Sequence, residues 1–341
     1  MRPTVHDLAN AAGVSLATVD RVLNRRPGVR AVTRERVEEA IARIGFERDV
    51  TAANLAKGRV YPMTFVVPEG DNSFMAGLRS EILEASRRSR QERTEIELIE
   101  VAAFDADALA ARLEALSDAP PGGLAVVAVD APRVRAALLA LREKGTAVVT
   151  LVSDLDGLAR DHFAGVDNHA AGCTAGSLMA RFVKANEGKI GVIAGSMLVG
   201  DHRDRLNGFI ARLSEHAPGL EILPALETQD DPDRVEELSG QLLASTQDLV
   251  GLYNLGAGNR GLIRALSNKA GSGRPVVIAH ELTPHTREAL DRELIDVVLN
   301  QDAGHEVRSA IRVLKARADG LEVIAAQERI RLDIFLKDNL P

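Results

Sequence analysis

Short apolar runs alternate with amphipathic helical stretches from residue 62 onward. MTFVVP precedes AGLRSEILEASRRS, IELIEV precedes ADALAARLEAL, and GLAVVAV precedes RVRAALLALREKG. Strands that alternate with helices in this way predict parallel sheets covered by helices on both faces. The pattern gives about ten strands, too many for one doubly wound sheet of this size. Because the rhythm breaks between 156 and 161, we expect an α/β body made of two lobes.

The first residues follow another pattern, in which two short helices are joined by a three-residue turn. Thr4 and Asp7 fit a capping box, and Gly13 would end the first helix. Ser15 can cap a second helix and Thr33 a third. This arrangement is typical of a helix-turn-helix. Ala9 is small where the helices must approach closely, and the small core is expected to contain Leu8, Val14, Val19, Val22, Leu23, Val37, Ala40, Ile41 and Ile44.

The distribution of net charge indicates different functions for residues 1–60 and for the rest of the chain. Residues 1–60 carry eleven Lys and Arg against seven Asp and Glu, a net of +4, and the other residues carry 31 against 42, a net of −11. A basic end on an acidic body suggests a nucleic-acid-binding module. On the second helix, Leu16, Ala17, Asp20 and Arg21 would point outward, where this motif meets base edges.

Several classes of protein and site are unexpected from composition. No run of 18 apolar residues suggests a membrane span, and the N-terminus has no apolar region of the secretory kind. Cys173 is the single cysteine, so we expect neither disulfides nor a thiolate metal cluster, and interpret it as helix packing. His280 and His285 straddle Pro284 and do not share a helix face, so no metal site is expected. These features favour a cytoplasmic protein without a cofactor.

The segment TVHDLANAAGVSLATVDRVLNRRPGVRAVTRERVEEAIARIGF resembles the headpiece of the lac repressor (LacI/GalR) family. The resemblance implies a DNA-binding domain over 1–46 and a hinge helix or linker over 47–60, in a homodimer that binds an operator in double-stranded DNA. The chain departs from the family at Asp20, where most members have Ser, so its operator preference is open. The implied DNA-binding residues are Thr4, Ser15, Leu16, Ala17, Thr18, Asp20, Arg21, Asn24, Arg30, Ala52 and Leu55.

The resemblance gives the hinge a specific role. In the family a hinge helix presses a Leu into the minor groove, and by position this is Leu55, with Ala52 and Ala53 allowing close contact with a partner helix. Arg48 and Asp49 stand where the family usually has Pro and Asn. A flexible linker is the alternative interpretation.

The rest of the chain, 61–341, resembles the periplasmic-binding-protein-like (type I) sensor of the same family, with parallel sheets in two lobes. By this resemblance the first lobe comprises about 61–158 and 299–321, and the second about 160–297 and 323–341. The chain would cross between lobes near 159, 298 and 321. The implied fold is therefore an all-α headpiece on a two-lobed α/β sensor.

In such sheets ligands bind beyond the carboxyl ends of the strands. Arg donors and carboxylate acceptors in a mostly apolar cleft suit vicinal hydroxyls, so the effector is expected to be a sugar, polyol or sugar derivative. Leu255 and His280 stand where the family usually has Asp, and Phe74 has core packing as its alternative. The candidate effector-binding residues are Asn72, Phe74, Asp130, Ser153, His202, Arg203, Arg205, Asn254, His280, Glu281 and Gln301. The resemblance favours a repressor released by its effector, with corepression as the alternative.

An enzyme is the main rival interpretation. Residues 256–261 read G-x-G-x-x-G between an apolar strand and a helix, with Glu281 20 residues beyond Gly261, as in a dinucleotide-binding fingerprint. A nicotinamide domain normally begins with this motif at its first strand, whereas here several βα units precede it. A transport binding protein would share the sensor fold but not the headpiece.

Overall fold

The structure is a computed structural model that describes residues 3–24, 26–47, 58–89, 93–155, 157, 159–268 and 273–341. The chain divides into two compact units, Met1–Arg59 and Val60–Pro341. The hinge residues Ala52 and Leu55, to which we assigned DNA contacts, lie outside the described residues. No helix in the described part of the chain is both long and apolar enough to cross a bilayer.

The first unit contains three helices in the described ranges, α1 Val5–Ala12, α2 Leu16–Leu23 and α3 Ala31–Ile44. The capping predictions for α1 and α2 are confirmed. The Thr4 hydroxyl accepts a hydrogen bond from the Asp7 amide while the Asp7 carboxylate accepts one from the Thr4 amide, and the Ser15 hydroxyl caps α2. Gly13 ends α1 in the left-handed conformation, with a φ of 62°. Local chemistry therefore sets both ends of α1.

The third helix begins earlier than its sequence suggested. Thr33 does not cap it, because Ala31 already has helical geometry and Arg30 is the residue before the first turn. The predicted core is otherwise observed, with Leu8, Val19 and Val37 fully buried. Phe46, which follows α3, adds an aromatic ring to this core that the helical periodicity did not include.

The second unit contains two sheets in the described residues, and the first is wholly parallel. Its strands follow the order β2-β1-β3-β4-β5. They are β1 Tyr61–Pro68, β2 Thr94–Val101, β3 Gly123–Val126, β4 Ala147–Leu151 and β5 His162–Ala164. Helices α4 Ser73–Ser89, α5 Ala106–Leu116 and α6 Pro132–Glu143 connect the first four strands.

The second sheet is parallel except for its last strand. Its strands follow the order β12-β11-β10-β9-β6-β7, with β8 also paired to β6, and β12 runs antiparallel to β11. The strands are β6 Gly188–Ala194, β7 Leu220–Ile222, β8 Leu226–Glu227, β9 Leu249–Asn254, β10 Val276–His280, β11 Val297–Gln301 and β12 Leu332–Phe335. The remaining α-helices are α7 Asn168–Phe182, α8 Gly200–His216, α9 Pro232–Ser245, α10 Asn259–Ser267, α11 Pro284–Asp291, α12 Ala303–Asp319 and α13 Ala325–Glu328.

These pairings confirm the α/β class and the two lobes, but they move the expected lobe borders. Strand β5 pairs with β4, so 162–164 belongs to the first lobe, although we had begun the second lobe at 160. Strand β11 pairs with β10, so the second lobe continues to Gln301. Helix α12 then packs in the core of the first lobe. The first two crossings therefore lie at 165–167 and at 302, because sheet pairing fixes the borders.

The third crossing also comes later than expected. We had begun the last segment of the second lobe at 323, after the helix stop at Gly320. Glu328 of α13 instead forms an ion pair of 2.7 Å with Arg312 of α12, so this short helix stays with the first lobe. Only β12 returns to the second sheet. Three short connections, at 165–167, at 302 and at 329–331, therefore join the two lobes.

Candidate functional site

Helix α2 presents the candidate DNA-contacting surface of the first unit. Leu16, Ala17 and Arg21 are exposed on it, as expected for a helix that reads a groove. Thr4, Ser15 and Thr18 have local partners in this structure: Thr4 and Ser15 cap helices, and the Thr18 hydroxyl lies 2.9 Å from that of Ser15.

The acidic residue on α2 is partly neutralised by its neighbours. Asp20 accepts hydrogen bonds from Asn24 Nδ2 at 2.7 Å and from Arg26 Nη1 at 3.2 Å. An exposed ion pair of this kind contributes about 0–1 kcal/mol to stability. Arg26 therefore offsets the repulsion between Asp20 and phosphate, and the pair can open at little cost. Arg30 is exposed just before α3.

Two arginines that the sequence did not single out hold the helices of the headpiece together. Arg36 Nη2 donates to the carbonyl oxygens of Ala12 and Gly13, at 2.8 and 3.0 Å. Arg43 Nη2 donates to the Ala11 carbonyl at 2.5 Å. These donors satisfy carbonyls at the end of α1 that have no partner within the helix. Part of the positive charge of this unit thus has a structural role.

A cavity of about 550 Å³ lies between the two lobes of the second unit, beyond the carboxyl ends of strands from both sheets. This volume is within the range of sites that bind small molecules, roughly 300–1,000 Å³. The structure brings together on its wall most of the residues that the sequence selected. These are Asn72, Phe74, Ser153, His202, Arg205, Glu281 and Gln301. Phe74 also packs against the core of the first lobe, so its position is compatible with either interpretation of this residue.

Two charged candidates do not line this cavity. Asp130 is held by Arg135, whose Nε donates to it at 2.7 Å. Arg203 donates to the carbonyl oxygens of Met197 and Leu198, at 3.2 and 2.8 Å. Arg203 Nη2 also lies 3.8 Å from Asp130 Oδ2 in the first lobe. Neither side chain is on the cavity wall, so the expectation that either residue lines this cavity is wrong.

Asn254 and His280 are also absent from the cavity wall and lie beneath it. Asn254 is fully buried and donates to Ala257 O at 3.0 Å and Asn259 Oδ1 at 2.8 Å, which shapes the loop after β9. His280 Nε2 lies 2.8 Å from the Tyr253 hydroxyl. Burial, with Arg205 nearby, holds the pKa of His280 well below its usual value, so its ring is neutral.

Arg205 is fixed at the base of the cavity by partners from three segments. Its Nε donates to Asn168 Oδ1 and its Nη1 to Leu255 O, both at 2.8 Å, and its Nη2 lies 3.6 Å from Glu281 Oε1. Close packing of α7 on α8 requires glycine, because a Cβ at Gly172 would lie 1.9 Å from Arg205 O. The guanidinium is therefore preorganised for a ligand that touches the second lobe.

Glu281 supplies the acceptor beside this guanidinium. Gln301 Nε2 donates to Glu281 Oε1 at 2.9 Å. Burial raises the pKa of Glu281 to about 7, although the positive charge of Arg205 opposes the shift. The carboxyl group can thus change protonation near neutral pH, directly on the cavity wall.

Strained backbone is concentrated around this cavity. Five non-glycine residues on its wall have φ between 57° and 70°. They are Phe104, Val152, Gln229, Asp230 and Glu281. Left-handed geometry costs roughly 1–3 kcal/mol for such residues and persists where the surrounding structure imposes it, often at functional sites. No feature of the sequence indicated left-handed backbone geometry at these positions.

Asp230 is a cavity residue that the sequence analysis missed, and it joins the lobes. Its Oδ2 accepts a hydrogen bond from Asn72 Nδ2 at 2.9 Å, and its Oδ1 accepts one from the Ala257 amide at 2.9 Å. Arg260 Nη2 adds a second link between the lobes, to Asp71 O at 3.2 Å. The run of acids before α9 was the only available signal.

The glycine-rich loop at 256–261 has a packing explanation. A Cβ at Gly261 would lie 1.8 Å from Pro232 O, so glycine permits the contact between α9 and α10. Gly258 needs its φ of 76°, and the Ala257 amide already donates to a carboxylate. The loop therefore forms part of the cavity wall, and its Ala257 amide is occupied by the carboxylate of Asp230.

Cys173 and the acidic groups give no sign of metal binding. Across the described residues, no group of three or more His, Cys, Asp and Glu side chains is arranged to hold a metal ion. Cys173 Sγ lies 3.7 Å from His169 Nδ1, one turn earlier on α7. A Cβ at Gly208 of α8 would come within 2.9 Å of the Cys173 amide, which places this part of α7 at the helix contact.

Comparison with known proteins divides the chain in the same way. The model of the periplasmic binding protein domain matches residues 63–322. The model of bacterial regulatory proteins of the lacI family matches residues 4–49. The body is also similar to GanP, a glucose-galactose binding protein from Geobacillus stearothermophilus, with a TM-score of 0.72 and 19% identity over 83% of this chain and 99% of that one. A solute-binding protein from Burkholderia graminis, in complex with D-arabinose, gives 0.73 at 19% identity over 82% and 96% of the two chains.

Curated relatives match only a limited stretch. Catabolite control protein A of Priestia megaterium is 38% identical over 78 residues, which is 23% of this chain and 24% of the relative. The HTH-type transcriptional regulator MalR of Streptomyces coelicolor is 40% identical over 88 residues, 26% and 25% of the two chains. The matched region thus spans about a quarter of the length of these relatives, which are regulators and not enzymes.

Proposed function

Since the chain belongs to the periplasmic binding protein domain family through residues 63–322 and matches the lacI family of bacterial regulatory proteins over residues 4–49, we propose that it is a sequence-specific DNA-binding transcriptional repressor. A small polyhydroxylated effector bound between the lobes releases it from DNA. The cavity carries this proposal, because its wall takes polar side chains from both lobes. The protein acts in the cytoplasm, where its operator lies.

The headpiece supplies the sequence reading. Exposed Leu16, Ala17 and Arg21 on α2 meet base edges, while Asp20, once it leaves Arg26, accepts from a cytosine or adenine amino group. One headpiece reads only a few base pairs, so a homodimer reads a palindrome. Contacts with phosphates make the affinity fall steeply as salt rises.

The effector acts through its contacts with both lobes. Asn72 and Ser153 approach it from the first lobe, and Arg205, Glu281 and Gln301 from the second. Guanidinium and amide groups donate, and carboxylate and hydroxyl oxygens accept, as the hydroxyls of a sugar or polyol require. Only a difference in its affinity for two lobe arrangements can shift the DNA-binding equilibrium. We assign release rather than corepression on family grounds.

The dinucleotide-dependent oxidoreductase is disfavoured by the same loop that suggested it. A dinucleotide site needs loop amides free to face the pyrophosphate, and the Ala257 amide donates to Asp230 at 2.9 Å. Glycine at 261 is explained by the approach to Pro232 O. A transport binding protein would leave the headpiece without a role.

Operator selection with the full-length protein tests the proposal. We expect a palindromic sequence to be enriched from random duplex DNA, bound by a dimer in analytical ultracentrifugation. Sugars and polyols that raise the melting temperature should then lower operator affinity in fluorescence anisotropy. Enrichment of no sequence, or operator bound by a monomer, would contradict the DNA-binding part. An effector that tightens operator binding would make the protein a corepressor-dependent regulator.

A further inference from the structure

The wall of the cavity between the lobes has a marked excess of negative charge. Arg205 and His202 are the basic side chains on its described part. The carboxylates are those of Glu69, Asp71, Asp201, Asp230, Asp231 and Glu281. A cleft lined by one sign of charge concentrates ligands of the opposite sign. A phosphate or carboxylate on the effector would therefore be repelled.

Most of these carboxylates already have partners or face solvent. Asp230 accepts from Asn72 and Ala257, and Glu281 accepts from Gln301. Asp231 caps α9 by accepting from backbone amides of that helix, and Glu69 and Asp71 are exposed. The remaining one is Asp201, which is 8% exposed.

Asp201 has an oxygen with no hydrogen-bond partner among the described residues. This atom is Oδ1, and the other oxygen, Oδ2, lies 3.9 Å from His202 Nε2. Asp201 belongs to the first turn of α8, where the helix dipole favours a negative charge. A buried carboxylate oxygen without a donor is costly, so its retention on a cavity wall points to a donor brought by a ligand.

A second acceptor without a partner belongs to the same cavity wall and comes from the other lobe. Ser153 is 3% exposed, lines the same cavity, and its Oγ has no hydrogen-bond partner within the described structure. The start of α8 approaches this hydroxyl, because a Cβ built on Gly200 would lie 3.8 Å from Ser153 Oγ. Ser153 and the residue before Asp201 are therefore neighbours across the cleft, and each lobe contributes one oxygen without a partner to the residues of the same cavity wall.

We propose that the effector carries a protonated amine on a polyhydroxylated skeleton, and that the ammonium binds between Asp201 and Ser153. The inference rests on the proposed function, since it assigns a ligand class to the same cavity. An ammonium group has three donors and no acceptor, which suits two acceptors that lack donors. It also supplies the countercharge that a neutral hydroxyl cannot. The hydroxyl groups of the effector would contact Arg205, Glu281 and Gln301.

Matched sugars test the ligand class on the full-length protein. The probes are D-glucose, D-galactose and D-mannose, their 2-amino-2-deoxy counterparts, the corresponding aldonates and the 6-phosphates. Isothermal titration calorimetry and thermal shift measure binding. In at least one set we expect the amine to bind about 10- to 100-fold more tightly than the neutral sugar, the range of a hydrogen bond to a charged group. The anionic members should bind most weakly.

Substitution at Asp201 locates the effect. Asp201→Asn keeps the shape and removes the charge, and it should lower amine affinity about 10- to 100-fold while changing affinity for the neutral sugar little. Asp201→Ser is the second variant should the amide disturb α8, and the thermal transition reports folding of both. Glu95→Gln removes the negative charge of an exposed residue of strand β2 that does not line the cavity, and this variant should keep the preference for the amine.

Each outcome decides the inference separately from the proposed function. Equal affinity for amine and neutral sugar, tightest binding by an anionic member, or an unchanged preference in both Asp201 variants overturns the amine site. Binding of no amine in the panel overturns it as well. If a neutral sugar then releases the operator, the proposed function stands alone. If an amine binds through Asp201 without changing operator affinity, the site stands and the release mechanism falls.

Discussion

Asn72 in the first lobe donates a hydrogen bond of 2.9 Å to Asp230 in the second. Both side chains form further hydrogen bonds. Asn72 Oδ1 accepts from the amides of Phe74 and Met75 at the start of α4, and Asp230 Oδ1 accepts from the Ala257 amide. One hydrogen bond thus couples the first helix after β1 to the loop after β9. Both residues also line the cavity.

Removing this link should weaken effector binding. In Asp230→Ala the hydrogen bond from Asn72 between the lobes is lost, and the Ala257 amide loses its acceptor. The effector must then order the two lobes and the loop that contains Ala257 when it binds, which costs binding free energy. We expect effector affinity to fall about 10-fold, which corresponds to about 1.4 kcal/mol, the order expected when partly buried hydrogen bonds are lost. Calorimetric titration measures it. Asp233→Ala is the matched control, because Asp233 is highly exposed and pairs only with Arg264 in the described structure. Equal effector affinity of the two variants would show that Asp230 does not contribute to effector binding.

Stability should depend on pH through Glu281. Its pKa rises from 4.5 to about 7 on burial, so between these values the folded state keeps a proton that the unfolded state releases. This contribution to stability is present below pH 4.5 and is lost as pH rises to about 7. Glu306, whose pKa burial also raises well above its usual value, acts in the same direction.

Glu281→Gln isolates the first of these groups. Because glutamine cannot ionise, the melting temperature of the variant minus that of the wild type should increase between pH 5 and pH 8. Differential scanning calorimetry at both pH values measures the difference. A difference that does not change with pH would show that Glu281 does not titrate in this range.

The ion pair between Asp20 of α2 and Arg26 leads to a prediction about which operator sequence the protein prefers. Asp20→Ser removes a negative charge near phosphates, so affinity for random duplex DNA should rise and the base preferred at one operator position should change. The melting temperature should stay nearly constant, because the exposed pair with Arg26 contributes about 0–1 kcal/mol. Repeated operator selection is the measurement. An identical operator logo from both proteins would place Asp20 outside the base contacts.

Local signals in the sequence were sufficient for much of the fold. Capping at Thr4 and Ser15 depends on residues within three positions, and the periodicity of apolar residues reports strands and helices directly. Strand β5 was placed in the wrong lobe, because three residues, His162 to Ala164, carry too little pattern to assign them to one sheet or the other. Lobe borders depend on such pairings, which are long-range.

The candidate site was predicted in part for the same reason. Arg205 and Gln301 stand where the resemblance placed them, and both line the cavity. Asn254 and His280 do not, because at the end of a strand a side chain can point into the cleft or beneath it, and the sequence does not distinguish the two. Asp201 and Asp230 lie at a helix start and in a turn, where acidic residues are common, and only the folded chain brings them to the cavity.

Arg205 offers the most direct test of the claim that a ligand between the lobes controls DNA binding. Arg205→Ala removes the guanidinium from the cavity wall, whereas Arg212→Ala removes one on the same helix that lies outside the cavity and pairs with Glu215 of that helix in the described structure. Fluorescence anisotropy of labelled operator, titrated with effector, compares both with the wild type, and calorimetry checks that each variant folds. We predict that Arg205→Ala binds operator nearly as tightly as the wild type yet is not released, while Arg212→Ala is released normally. Release of Arg205→Ala at the wild-type effector concentration would contradict the account.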